Sequence, residues 1–218
     1  MGTQSATGRV NQKLRTRTAI VQAAAELSRT GQEVTMPEVA RKALVSEATA
    51  YRYFPDLLSL LTEAIAGQLP TPAEALIAVA DSADPVERVA AVTEFLLRHV
   101  QARQGVVRAM IAATVVRPAE AAARPGLRFG MIDHALAPAV ESGSVGPAAL
   151  EQLKRDLAVV VSAEALFSLT DLHGLDPEDA ISSLLHTATT LTRAALWDAE
   201  RPAIRAGRAP TRRPHTDT

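Results

Sequence analysis

Thr35, Ser46, Thr49, Tyr51 and Tyr53 place five hydroxyl groups in one short stretch, with Glu38, Glu47 and Arg52 among them. Groups of this kind can catalyse or recognise, and the motifs that accompany them decide which. No His-x-x-x-His or His-Glu-x-x-His pair offers a metal site, and the chain has no cysteine. There is no Gly-x-Ser-x-Gly elbow and no Walker loop. Glu141-Ser142-Gly143 falls in an expected loop with no partner base. The expectation is therefore recognition by hydrogen bonding, with no enzyme activity, no cofactor and no metal.

The hydroxyl-rich stretch reads as two short helices joined by a tight turn. Thr35 suits the N-cap of the first, and Glu38 stands three residues on, where a capping box wants a carboxylate. Pro37 is tolerated there because a first-turn N–H has no intrahelical partner. Val39, Ala40 and Ala43 give this helix an apolar face. Ser46 caps the second helix, with Glu47 near the positive end of its dipole. Ala50 and Phe54 are four apart and turn inward with Val45, which leaves Glu47, Ala48, Thr49, Arg52 and Tyr53 to face outward. A compact helix pair with a polar, aromatic-tipped second helix is what entry into a DNA major groove requires.

The run Val34-Thr35, Val39-Ala40, Val45-Ser46 and Thr49-Ala50-Tyr51-Arg52-Tyr53-Phe54, followed by Leu60-Leu61, resembles the tetracycline-repressor (TetR/AcrR) family. The resemblance covers about residues 13–62. It implies an all-α fold: a three-helix helix-turn-helix head and a helical body for ligand binding and dimerisation, about nine helices in all. It also implies that Thr35, Tyr51 and Tyr53 contact phosphates through their hydroxyls, while Glu47, Ala48 and Thr49 face base edges. A carboxylate can accept from cytosine N4, and Ala or a Thr methyl can touch a thymine methyl. For Glu47 the competing role is service to the helix dipole, for Tyr51 a place in the core, and for Arg52 a phosphate contact or solvation. Two positions depart from the family pattern: Leu44 replaces the usual turn glycine, and Leu57 replaces a lysine that contacts a phosphate. The first implies a different turn and the second one backbone contact fewer.

Net charge is −1, but it is unevenly spread. Residues 1–54 hold eight Lys/Arg and four Asp/Glu, a net +4, and the remainder is −5. A basic head on an acidic body fits a nucleic-acid binder. Arg9, Lys13, Arg15 and Arg17 lie in or just before the first helix, as phosphate or minor-groove contacts or as a solvated basic end. With 47% apolar residues and only 3% aromatics, packed helices are favoured over sheets. No segment reaches eighteen uninterrupted apolar residues, and no signal-peptide core is present. The expectation is a cytoplasmic protein without a membrane partner.

Four segments are expected: a mobile arm over 1–12, the head with a linker helix over 13–69, the body over 70–200, and a disordered basic tail over 201–218. Helix 1 runs from about Lys13 to Thr30 on a stripe of Ile20, Ala23, Ala24 and Leu27. Asp56 caps helix 4, whose face is Leu57, Leu60, Leu61, Ala64 and Ile65. The body reads as helices over about 72–80, 84–101, 106–116, 119–140, 147–172 and 177–199, the last opening on Asp176-Pro177-Glu178-Asp179.

By resemblance, the last two helices build a homodimer interface, with Leu153, Leu157, Val161, Leu184, Leu185 and Leu191 as candidates; the alternative is a core within one chain. Trp197 stands at the dimer seam or the body's edge. Also by resemblance, the middle helices enclose a pocket for a small-molecule effector. Candidate lining residues are Phe95, His99, Met110, Thr114, Phe129, Met131, His134, Phe167 and His173, each of which could equally be core or surface. Function is then a sequence-specific regulator, most simply a repressor released from a palindromic operator by its ligand. The alternatives are an activator or architectural DNA binder without effector, or a helical interaction domain that has lost DNA binding.

Overall fold

The computed structural model describes residues 3–116, 119 and 125–207, with side chains over 10–116, 119 and 125–197. Among them there are eleven α-helices and no strand. These are α1 (Thr3–Leu27), α2 (Met36–Lys42), α3 (Glu47–Tyr53), α4 (Leu57–Ile65), α5 (Pro72–Ala75) and α6 (Pro85–Ala102). Then follow α7 (Gln104–Val116), α8 (Leu127–Ser142), α9 (Pro147–Val160), α10 (Ala163–Phe167) and α11 (Pro177–Gly207). None is long and apolar enough to cross a membrane. The chain divides into two compact units, 1–71 with 96–127 and 72–95 with 128–218.

In the first unit α1, α2, α4 and α7 pack on one another. Ile20, Ala23 and Ala24 of α1 are buried against Leu58, Leu60 and Leu61 of α4, with Val106 and Met110 of α7 in the same core. Each fully buried Leu or Ile contributes on the order of 2 kcal/mol. Helix α7, which lies beyond the expected division at 69/70, thus shares a core with α1 and α4. The first helix begins at Thr3, where an arm over 1–12 was expected, and ends at Leu27. Ser28 closes that end by donating its hydroxyl to the Ala24 carbonyl at 2.8 Å.

In the second unit α9 and α11 lie side by side. The single helix expected over 147–172 is broken. Val161 leaves helical geometry at ψ 65, and Ser162 turns extended, accepts from the Ala165 N–H and starts α10 as its N-cap. A π-turn over Ser168–Leu172 follows. This division helps raise the helix number above nine. Helix α8 carries Pro138 in its interior. Residues 117–118 lie outside the described residues, as do 120–124, part of the helix expected over 119–140, and the tail from 208. Between 201 and 207, where disorder was expected, the backbone continues α11.

Candidate nucleic-acid interface

Local hydrogen bonds set the helix pair. The Glu38 N–H donates to Thr35 Oγ1 at 3.4 Å, and the Thr35 hydroxyl donates to Glu38 Oε2 at 3.1 Å. That hydroxyl, a candidate phosphate contact, is already engaged within the cap. Helix α2 ends in a Schellman turn: the Leu44 N–H donates to the Arg41 carbonyl at 3.2 Å and the Val45 N–H to Ala40 at 3.0 Å. Leu44 adopts φ +56, so leucine takes the left-handed conformation that glycine usually supplies. The expected different turn is thus not seen; the turn is a regular one with a strained residue.

Ser46 then accepts from the Thr49 N–H at 3.2 Å and starts α3. Ala50 and Phe54 are buried, which orients the helix. On the other side Glu47, Ala48, Tyr51 and Arg52 are exposed, and Thr49 and Tyr53 are half-buried. Thr49 Oγ1 lies 2.9 Å from Ser46 Oγ. The Arg52 guanidinium sits 5.7 Å from the Tyr53 ring centroid. Tyr51, at 49% exposure, is not a core residue. This surface presents a carboxylate, a methyl, phenol hydroxyls and a guanidinium, which are groups that pair with base edges and phosphates.

The basic residues of α1 behave differently from one another. Arg15 is exposed. Arg17 is held: it pairs with Glu63 of α4 and lies 4.9 Å from the Phe54 ring centroid. Sequence reading missed this, because Glu63 is 46 residues away. Lys42 pairs with Glu26 at 2.9 Å, and that hydrogen bond and charge hold the Glu26 carboxyl below its ordinary range.

The effector candidates are divided between the two units. In the first unit Met110 and Thr114 are buried, and the Thr114 hydroxyl donates to the Met110 and Ile111 carbonyls at 3.1 and 2.9 Å. His99 is half-buried, with its Nδ1 3.2 Å from Arg103 Nη1. Burial, then the Arg103 charge, lower its pKa to about 4. In the second unit Met131 is core, Phe95 and Phe167 are half-buried, and Phe129, His134 and His173 are exposed. Phe129 lines a groove of about 470 Å³ between α8 and α9 together with Ile132, Lys154 and Val159.

Of the dimer candidates, Leu153, Leu157, Val161 and Leu184 are buried inside their own unit. Leu185 and Leu191 are half-buried. Trp197, at 58% exposure, is the more open apolar group of α11.

Residues 19–64 match the family described as bacterial regulatory proteins, tetR family. Among curated proteins, none matches the chain. A crystal structure of a TetR transcriptional regulator from Rhodococcus sp. RHA1 is similar at a TM-score of 0.47 and 24% identity, over 83% of this chain and 97% of that one. Over residues 19–64, the helix-turn-helix segment of this chain is thus similar to that of the tetR family of bacterial regulatory proteins.

Proposed function

We propose that the protein is a homodimeric repressor that leaves a near-palindromic operator when a small molecule binds. The observation that carries the DNA part is the two-sided α3: Ala50 and Phe54 lock one face inward, while Glu47, Ala48, Tyr51 and Arg52 remain outside. A dimer would present two such helices about one turn of DNA apart, roughly 34 Å. With the buried leucines unavailable, the dimer surface falls on the outer side of α11, which carries Leu191 and Trp197. Release by a ligand requires unequal affinity for two states of the protein, because a ligand that binds both equally shifts nothing.

The test is fluorescence anisotropy with the DNA immediately upstream of the gene, scrambled DNA as control, and a salt series. Tight, sequence-preferring binding that weakens steeply with salt is expected. Equal binding to both DNAs at every salt would favour an architectural role. No binding at low salt would favour a protein-interaction domain.

A further inference from the structure

A second concavity lies within the first unit, beside the DNA-facing residues. It is a cleft of about 690 Å³ between residues 31–37, Tyr51, Leu57 and one side of α7. That volume is within the roughly 300–1,000 Å³ of small-molecule sites. Its back is rigid. A Cβ on Gly105 would lie 1.6 Å from the Gln32 carbonyl oxygen, so the 31–33 loop rests directly on the α7 backbone. Its walls are largely apolar, from Val34, Met36, Pro37, Leu57, Ala109 and Ala112. Thr35, Tyr51 and Gln104 add hydrogen-bonding groups, and Glu33 and Arg108 bring one charge of each sign.

We propose that this cleft binds an uncharged, flat aromatic small molecule, and that its occupant competes directly with DNA for Tyr51 and Thr35. Three observations select that chemistry. The two charges of the lining are opposite, so its net charge favours neither an anion nor a cation. Position 57 carries a half-buried leucine that lines the cleft, where a lysine would have made the same wall cationic. The half-exposed Tyr51 ring lines the cleft together with the small residues Ala109 and Ala112, a combination suited to stacking a planar ring. Competition follows from position: a molecule seated here covers two side chains on the face that would meet phosphates, without any change in the spacing of two heads. This regulatory limb rests on the DNA-binding reading above; the binding limb does not.

The experiment titrates the uncharged planar dye Nile red into the full-length protein, following its fluorescence, with and without upstream DNA. Ala112 is exposed, so Ala112→Trp should fold while filling the cleft; thermal melts confirm this, and Ala109→Leu serves as the milder second block. Dye affinity should fall at least tenfold in Ala112→Trp and measurably in Ala109→Leu. Val159→Arg, in the α8–α9 groove, should leave it unchanged. Saturating dye should weaken DNA binding about tenfold in the wild type and little in Ala112→Trp. Equal dye affinity in the wild type and both blocked, folded variants would overturn the cleft assignment, as would loss of dye binding in Val159→Arg. Dye bound in the cleft with unchanged DNA affinity would overturn competition. If the wild type binds no DNA even without dye, the regulator reading and the competition limb fail, while the dye titration still decides the cleft.

Discussion

Arg88 supplies the hydrogen bond that Pro138 withholds. Pro138 has no N–H, so the carbonyl four residues back, at His134, has no helical donor. Arg88 Nη2 donates to that carbonyl at 2.9 Å, and Nε donates to the Ala135 carbonyl at 3.2 Å. Nη1 reaches the Ser82 and Val79 carbonyls at 3.2 and 3.4 Å. A buried guanidinium thus ties the proline-bearing stretch of α8 to the turn before α6.

Arg88→Met should therefore be costly, because it strands carbonyls in a closed site. A loss of about 3 kcal/mol is expected in urea unfolding. Adding Pro138→Ala to that variant restores an N–H to the His134 carbonyl and should recover about 1 kcal/mol. An Arg88→Met protein within half a kcal/mol of the wild type, on the order of ordinary surface changes, would refute the pairing.

Leu44 holds a glycine conformation with a side chain that is 92% exposed, so it bears the steric cost with almost no compensating burial. Leu44→Gly should stabilise the head by roughly 0.5–1 kcal/mol, the αL penalty less the added chain entropy. Leu44→Val, β-branched at the same φ, should destabilise it by a similar amount. Chemical denaturation reads both; a Gly variant less stable than the wild type would show that the turn is not strained.

Arg15 and Arg17 are two positions apart but have different surroundings. Arg15→Ala should lower the slope of log affinity against log salt by about 1, the mark of a lost phosphate contact. Arg17→Ala and Glu63→Gln should leave that slope alone and cost about 1 kcal/mol of stability, the value of an exposed ion pair stacked on an aromatic ring. An Arg17→Ala protein with a reduced salt slope and full stability would return Arg17 to the DNA surface.

His99 gives the pH dependence. Its folded pKa, about 4, lies below the ordinary histidine value near 6.5, so in between the unfolded chain binds the proton and the folded one does not. Stability contributed this way is complete above about 6.5 and is lost as pH falls toward 4. A loss on the order of 1–2 kcal/mol is expected, discounted for the half-exposed ring, and His99→Gln should flatten it. Melts of both proteins between pH 4 and 7 that run parallel would exclude His99 as the cause.

The helix-turn-helix was legible because its determinants are local. Thr35 with Glu38, Ser46 with Thr49, and Asp56 with the Ser59 N–H are contacts across three residues. The inward pair Ala50 and Phe54 spans a single turn. The hydroxyl and carboxylate groups of the candidate interface came from the same short-range pattern, and so did the family resemblance. The break at Val161–Ser162 was missed for a different reason: the apolar period of α9 runs on through it, and a serine cap inside an apolar stretch is a weak signal.

By itself, then, the sequence determined an all-α chain, its capped helix starts and a head that reads as a DNA-binding module, because each follows from residues within a turn or two. Only the tertiary structure decided which amphipathic faces are spent inside. It buried Leu153, Leu157 and Met110, clamped Arg17 on Glu63, and set Arg88 on the carbonyl left by Pro138. An apolar stripe or a lone cation has the same signature in sequence whether its partner is the same chain, a second copy or DNA. Groups tens of residues away choose among these, and their positions follow from packing rather than from local periodicity.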